Sequence, residues 1–538
     1  MRTGQRTAPV VVVGNGPVGQ TTALLLARWG VPSILLDSRE RRDVVGSKAI
    51  CQQRDVLDVW DSVGAGRAIA DEGVTWTTAR TFFRGDQLFS VEFADPGHSA
   101  FPPWVNISQC RTEEVLDERI VQESLIQPRW SHEVTGLRDA GEHVEVDVDT
   151  PDGPTTLDAA YVVGCAGAHG DAVREGLGIE LAGRSFEDQF LICDIKADLP
   201  GWERERRFYF DPEWNPGRQV LIHPCPDSTY RIDWQVPAEF DLAAEEDSGA
   251  LDTRIRQVIG DRDYEIVWRS VYRFHTRCVD RMRAGRVLLA GDCAHLYAPF
   301  GARGLNSGVG DAENAAWKLA FVLHGWAGPD LLDSYDQERR AAARENLAVT
   351  TETMDFLVPQ TEEAWARRSE LLEQAVDDPG VHPRIDSGRL AEPYWYCDSA
   401  LTTADPSREP ATRPPRGQLP RPGVGVLLPD FPAPGARGGQ PVRLRELARV
   451  GILLLTVDHD GQTSALVQIV REITAAPVRG YSMRALTGDD SLVQALAAWP
   501  GEVWLIRPDA FVAAVLPGAD RAGVAAAVRR LLAEPRPR

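Results

Sequence analysis

The sequence predicts an α/β protein in which a parallel, Rossmann-like dinucleotide-binding sheet is interrupted by an antiparallel one. Three observations predict it. A glycine-rich turn lies between an apolar run and an amphipathic helix at the start of the chain. A second strand, glycine loop and helix lie just past the middle, and between the two the hydrophobic pattern changes from runs to alternation.

The first element is the run of valines at 10–13. It leads into Gly14-Asn15-Gly16-Pro17-Val18-Gly19, a helical apolar stripe over 20–29 and a second strand over 34–36 that ends at Asp37. Each part has a task. Gly14 makes the tight turn, Gly16 lets a pyrophosphate reach the backbone, Gly19 allows helix to pack on strand, and Asp37 can hold a ribose hydroxyl. Pro17 and Val18 open the helix, and Ser38 follows the acid, so they belong to the same candidate site.

Residues 285–325 repeat the grammar. An apolar run over 287–290 reaches Gly291 and Asp292, a loop rich in Gly and Pro follows, and a helix entered near Asn306 carries apolar residues at 315, 319, 320 and 323. Asp292 can accept hydrogen bonds from sugar-like hydroxyls, and Gly301, Gly304 and Gly308 let backbone amides approach a flat ligand. A ring that becomes anionic on reduction would gain from the helix dipole. Taken alone, this is also the pattern of an ordinary α/β crossover.

Between 182 and 272 the alternation reads as antiparallel strands at 190–195, 207–210, 219–225 and 230–236, the last two joined by Pro226-Asp227-Ser228-Thr229. In the last strand Ile232 and Trp234 share one face, and Arg231, Asp233 and Gln235 the other. His223 lies near the end of the preceding strand. A histidine there can bind or deprotonate a phenol, or simply pack. Residues 326–379 read as charged helix. Residues 401–440, with nine prolines, read as a linker or wrapping segment; strands at 451–457, 502–506 and 510–515 and a helix at 521–532 follow.

At 538 residues the chain is expected to form two to four domains. A net charge of −21 argues against nucleic acid and anionic membranes as partners. The eight cysteines (51, 110, 165, 193, 225, 278, 293 and 397) have no close CxxC spacing, so neither a metal site nor a disulfide framework is indicated. With no signal-like apolar region at the start and no run of roughly 18 apolar residues, a cytoplasmic protein is expected.

Three segments together resemble the single-component, FAD-dependent aromatic hydroxylases, the group of para-hydroxybenzoate hydroxylase and phenol hydroxylase, and most of all the 3-(3-hydroxyphenyl)propionate hydroxylase branch. They are VVVGNGPVGQTTALLLARWGV, LLAGDCAHLYAPFGARGLNSGVGDAENAAWKLA and LLDSYDQERR. The resemblance covers nearly the whole chain and implies an FAD-binding domain over 1–181, with a small contribution to the substrate domain near 75–105. It further implies a substrate-binding sheet over 182–275, the second part of the FAD domain over 276–400, a linker over 401–440, and a thioredoxin-like C-terminal domain over 441–538. No cysteine follows Cys397, so that last domain is left with packing or a homodimer contact as its role.

The resemblance places Gly14, Gly16 and Gly19 at the FAD pyrophosphate, Asp37 at the adenosine ribose, Gln109 at the flavin and Asp292 at the ribityl chain. Pro299, Gly301, Leu305 and Asn306 fall along the isoalloxazine ring. Lys48 stands where the group usually has an arginine, which keeps the charge and loses the bidentate fork. Arg231 falls at an arginine close to the flavin. The second motif departs from the pattern: in YVVGCAGAHGDAVREGLGI, Ala166 precedes Gly167 where an Asp is expected, and His169 stands where Arg is common. Either Asp171 reaches back or reduction by NADPH or NADH is altered. The implied chemistry is hydroxylation of a phenolic or polyketide-type aromatic substrate by molecular oxygen through a flavin C4a-hydroperoxide, with His223 and Arg231 as candidate catalytic residues. Baeyer-Villiger-type insertion and a flavin-binding protein with little turnover are the alternatives.

Overall fold

The computed structural model describes residues 8–534 except 44, 45, 47, 94–96, 406, 410, 414–419, 437–441, 458, 459 and 519. Its first layer is a six-stranded sheet in the order Arg283–Ala284, Val287–Leu289, Tyr161–Gly164, Val10–Val13, Ser33–Leu36 and Ile126–Arg129. All of its pairings are parallel except that of the first two strands. Strands covered on both faces need no polar alternation, which is why four consecutive valines serve at 10–13, all buried. Helices Pro17–Arg28 and Arg303–Leu323 pack on this sheet and share its core through Leu24, Leu26, Ala315 and Leu319.

The second layer is an eight-stranded sheet in the order His295–Leu296, Tyr264–Val279, Leu181–Ala197, Thr229–Val236, Gln219–Cys225, Glu205–Phe210, Thr78–Phe83 and Asp86–Glu92. The four strands read from alternation are present, but that at 190–195 is part of a 17-residue strand. The hairpin turn holds Asp227 and Ser228 at φ of 58° and 55°, the left-handed pair that matches strand twist. Two outer strands come from residues before the insertion. At the other edge, His295–Leu296 follows directly on the turn at Gly291–Cys293, so that turn is anchored to both sheets at once.

The C-terminal segment forms a four-stranded sheet in the order Val478–Ser482, Ile452–Thr456, Val503–Ile506 and Val512–Leu516, with helices Asp460–Ile473 and Arg521–Leu531 packed on it. Described residues of 401–440 lie against this sheet. Thr403 bridges to Ala514 and Leu427 to Phe511, and Leu428 is wholly buried. Buried ion pairs weld this segment to the first layer: Arg507 to Glu338, Arg449 to Asp58 and Glu313, and Arg445 to Asp55. Among the described residues no helix is long and apolar enough to cross a membrane.

Candidate active site

The glycine turn at the head of Pro17–Arg28 divides its work. Gly14 has φ of 106°, and a Cβ there would lie 2.4 Å from the Cys165 carbonyl oxygen. At Gly19 a Cβ would lie 1.8 Å from the Gly14 carbonyl oxygen. Both positions are closed by backbone. Gly16 differs, for its Cβ would meet nothing within 4 Å. The helix starts at Gly16 without a side-chain cap, so no side chain takes up its first N–H groups, as a pyrophosphate requires.

Asp37 is buried and already engaged. It accepts from Asn15 N–H at 2.8 Å and from the Arg39 backbone and side chain at 3.0 and 3.1 Å. Burial pushes this carboxyl up, but the bonds from Arg39 and Asn15 outweigh it and hold the group below its ordinary range. Ser38 beside it is exposed. Sequence reasoning missed both Arg39 and Arg42. Arg42 reaches Asp117 and Glu113 at 2.5 Å and both oxygens of Asn15 at 3.1 Å, fastening the turn to helix Gln109–Ile120. The available signal was a pair of acids at i and i+4 on that helix opposite a basic run at 39–42. Gln109 accepts from Ala49 N–H at 3.1 Å and donates to Glu113 at 2.8 Å. Lys48 is exposed.

Asp292 is solvent-exposed, yet crowded enough that loss of water pushes its carboxyl up; His295 and Lys48 pull it down and Asp311 adds to the rise. Gly291 next to it has φ of 61° and donates its N–H to Asp311 at 2.9 Å. Asp311 in turn holds His295 at 2.7 Å and Arg339 at 2.6 Å in a fully buried cluster that fixes the turn. Burial raises this carboxyl, but Arg339 and His295 win and hold it low.

The loop glycines need correction. A Cβ at Gly301 would lie 2.0 Å from the Arg389 carbonyl oxygen, and one at Gly308 would lie 2.6 Å from Val18, so these two serve chain packing. Gly304 alone looks toward Asp292, whose Oδ1 would be 3.9 Å from a Cβ there. The helix begins at Arg303, three residues before Asn306, after Ala302 at φ of 55°. Leu305 packs against the sheet core and Pro299 is exposed. The side chain of Asn306 accepts from Gln53 N–H and donates to the Cys51 carbonyl, both at 3.0 Å, and so positions strand Cys51–Gln53.

The second motif packs on both others. Gly167 has φ of 67° with open space above it, and a Cβ at Gly170 would lie 2.6 Å from the Cys293 sulfur. Asp171 is held by Arg174 at 2.5 Å. An open cavity of about 630 Å³ lies alongside, lined by His169, Asp171, Arg174, His275 and Arg277 among others.

The sheet face over the loop carries the two candidate catalytic residues. His223 is buried 3.8 Å from the Cys51 sulfur and edge-on to Trp76. Burial, with Arg206 and Arg231, lowers its pKa well below the ordinary value, so it is a neutral imidazole. Arg231 is bidentate to Asp194 at 2.8 and 2.9 Å and donates to the Lys48 carbonyl at 3.3 Å. Its charge is spent inside the chain. Phe300 of the loop meets Phe190 and Phe208 of the sheet at 5.3 and 6.1 Å between ring centres, so the face over the loop is aromatic.

A family model described as FAD binding domain matches residues 7–350. A 12-dehydrotetracycline 5-monooxygenase/anhydrotetracycline 6-monooxygenase of Streptomyces rimosus subsp. rimosus is 31% identical over 529 residues, 91% of this chain and 98% of that one. A 3-(3-hydroxy-phenyl)propionate/3-hydroxycinnamic acid hydroxylase of Mycolicibacterium smegmatis is 28% identical over 399 residues, 74% of this chain and 70% of that one. Among solved structures, the flavin-dependent monooxygenase PieE in complex with FAD and substrate has a TM-score of 0.80 at 22% identity, covering 99% of this chain and 100% of that one. At that identity the likeness bears on the fold alone.

Proposed function

The chain belongs to the FAD binding domain family and is an enzyme of the flavin-dependent monooxygenase kind, and we propose that it hydroxylates a phenolic or polyketide-type aromatic substrate, with NAD(P)H as reductant. One observation carries the reading. The three turns adjoin, Gly14 lying against Cys165 and Ala166 and Gly291 against Val18, which gathers the open Gly16, the open Gly167 and the exposed carboxylate of Asp292 at one end of the sheet, and an aromatic-bearing sheet face packs on the loop that follows.

The residues fit the cofactor. Gly16 and the uncapped helix would hold the pyrophosphate, Asp292 the ribityl hydroxyls, and the edge of loop 299–306 the ring. Asp37, though engaged by Arg39, retains lone pairs for a ribose hydroxyl, since an ionised carboxylate has about four acceptor sites. Bound flavin supplies electron transfer from the nicotinamide and activation of oxygen. The chain's own residues would hold the aromatic ring beside the aromatic contact of Phe300 with the sheet and exclude water. The open cavity beside His169, Arg174 and Arg277 suits the phosphates of the nicotinamide donor. We also read the C-terminal sheet and its two helices as the thioredoxin-like domain, without a redox pair, since no cysteine follows Cys397.

Identity, not coverage, leans toward the polycyclic arm of the substrate proposal. The tetracycline-type relative is 31% identical over 91% of this chain, whereas a 3-(3-hydroxy-phenyl)propionate/3-hydroxycinnamic acid hydroxylase of Burkholderia vietnamiensis is 27% identical over 97% of it. The test is anaerobic. Purified protein with FAD and NADH or NADPH is mixed with anhydrotetracycline, 3-(3-hydroxyphenyl)propionate or simple phenols, and bleaching of flavin absorbance is followed. Admitted oxygen should then yield a product heavier by one oxygen atom. Flavin that never bleaches would instead support the flavin-binding protein with little turnover that Ala166 suggests. Oxygen inserted beside a ketone would support Baeyer-Villiger chemistry.

A further inference from the structure

Strand Thr229–Val236 presents three polar side chains to the face over the loop, and the chain accounts for two. Ile232 and Trp234 pack with Leu251 and Ile255 on the opposite face, which sends Arg231, Asp233 and Gln235 toward the loop. Arg231 is consumed by Asp194, and Gln235 donates to Asp188 at 2.6 Å. Asp233 is different. Its Oδ1 is enclosed with no hydrogen-bond partner among the described residues, while the residue as a whole is only part-buried. An enclosed acceptor without a donor is costly, and a native structure keeps one where something else supplies the donor.

The surroundings restrict that donor. Asp233 sits in register between Leu221 and Ile192, one row from Phe190, so its flanks are apolar and aromatic. The charged and titratable groups around it include Arg231 on its own strand, Asp194, His223 and Cys225 on the flanking strands, Arg206 beyond, and Cys51 on the strand above the sheet. A cationic ligand would meet Arg206 and Arg231, and a carboxylate would meet Asp233 itself. A neutral donor on a flat ring meets neither penalty.

We propose that Asp233 receives the aromatic hydroxyl of the substrate. Its carboxylate accepts the hydroxyl's hydrogen bond and takes the proton, so the ring O–H bond breaks as the carboxyl O–H forms. The electron pair left on the ring oxygen enriches the carbon that is oxygenated. When that carbon has gained its oxygen from the flavin and lost its own hydrogen as a proton, Asp233 returns its proton to the ring oxygen. This assignment rests on the hydroxylase reading above. The carboxyl is suited to the exchange, because burial, reinforced by Asp194 and opposed by Arg231 and Arg206, pushes it up to about 7.

The test uses the FAD-loaded full chain and two matched pairs of probes, 4-nitrophenol with 4-nitroanisole and 2-hydroxyanthraquinone with 2-methoxyanthraquinone. Binding is read from the flavin absorbance. The wild type should prefer the hydroxylated member of at least one pair by roughly 10- to 100-fold, the size of a hydrogen bond to a charged group. Asp233→Leu should lose that preference. Asp233→Asn, which keeps an acceptor but no base, should retain part of it and change the pH at which the bound hydroxylated probe ionises, read from the probe's colour. A wild type that discriminates neither pair, a preference that survives Asp233→Leu, or an ionisation unchanged in Asp233→Asn would each overturn the proposal. Flavin retention and bleaching by NAD(P)H without probe, measured on the same samples, report the hydroxylase reading separately.

Discussion

The flavin cradle and the sheet face beside it are built on different kinds of constraint. In the cradle the decisive atoms are backbone, as with Gly14 against the Cys165 carbonyl, Gly19 against the Gly14 carbonyl, and open space at Gly16. On the sheet face they are side-chain charges: Arg231 cancelled by Asp194, His223 held neutral, Asp233 left over. At Gly14 and Gly19 the first kind tolerates no added atom. The second tolerates substitution if charges are removed in balanced sets. That difference can be broken or sharpened experimentally.

The largest effect is expected in the cradle. Gly19→Ala forces a Cβ into backbone at 1.8 Å, a clash that neither helix nor strand can relieve without separating, and should cost about 3 kcal/mol or more. Little folded protein should survive, as judged by soluble yield and thermal melting. A variant that melts normally with FAD bound would remove the packing argument. On the sheet face, Arg231→Met alone strands a buried Asp194 and should cost about 3–5 kcal/mol, whereas Arg231→Met with Asp194→Leu should recover most of it. Chemical denaturation of the single and double variants checks this. If the stable double variant also fails to turn over substrate, Arg231 acts on the reaction as well as on the fold.

The same contrast explains what could be read from the sequence. Backbone requirements are written locally, so the turn at 14–19, the acid at 37 and the loop after 291 stood out by spacing alone. Charge cancellation is not local. Arg231 and Asp233 alternate like any exposed charged strand, and only the register that brings Asp194 beside Arg231, 37 residues away, shows which charge is spent. Asp37 was legible but its partner Arg39 was not, because an Asp two residues before an Arg is common in loops. Strand Val478–Ser482 carries Arg479 and Gly480 and has little alternation; it is a strand because Ile452–Thr456 lies parallel beside it. The loop glycines at 301 and 308 were read as facing a ligand, whereas residue 389 and Val18, both far away in sequence, occupy that space.

A smaller effect separates binding from folding within the cradle. Gly16→Ala adds a methyl where nothing stands within 4 Å, at φ of −91°, which alanine adopts freely. Melting of the apoprotein should be unchanged, while FAD affinity falls at least about tenfold, near 1.4 kcal/mol. Asp292→Ala should behave alike, since its side chain is exposed and crowding already disfavours its charge. Equilibrium dialysis of FAD beside melting curves measures both. Unchanged affinity in Gly16→Ala would move the pyrophosphate elsewhere.

A further effect runs in the opposite direction and depends on pH. Asp233 is pushed up to about 7 from an ordinary 3.8, so the folded state binds its proton more tightly than the unfolded chain does. Below the ordinary value both states hold the proton and the group is neutral in its effect. As pH rises through the window from about 4 to 7 the unfolded chain ionises first, and stability falls. Above that window the loss is constant. Asp233→Asn cannot titrate, so it should be the more stable protein at pH 8, by up to about 4 kcal/mol, with the gap closing toward pH 4. Denaturation midpoints of the apoproteins across that range provide the measurement. A gap that does not change with pH would mean that Asp233 ionises normally in the folded chain. A gap that widens with pH as described would show that the chain keeps, on the face over the flavin loop, a carboxylate its fold would be better without, as expected of a group retained for its substrate.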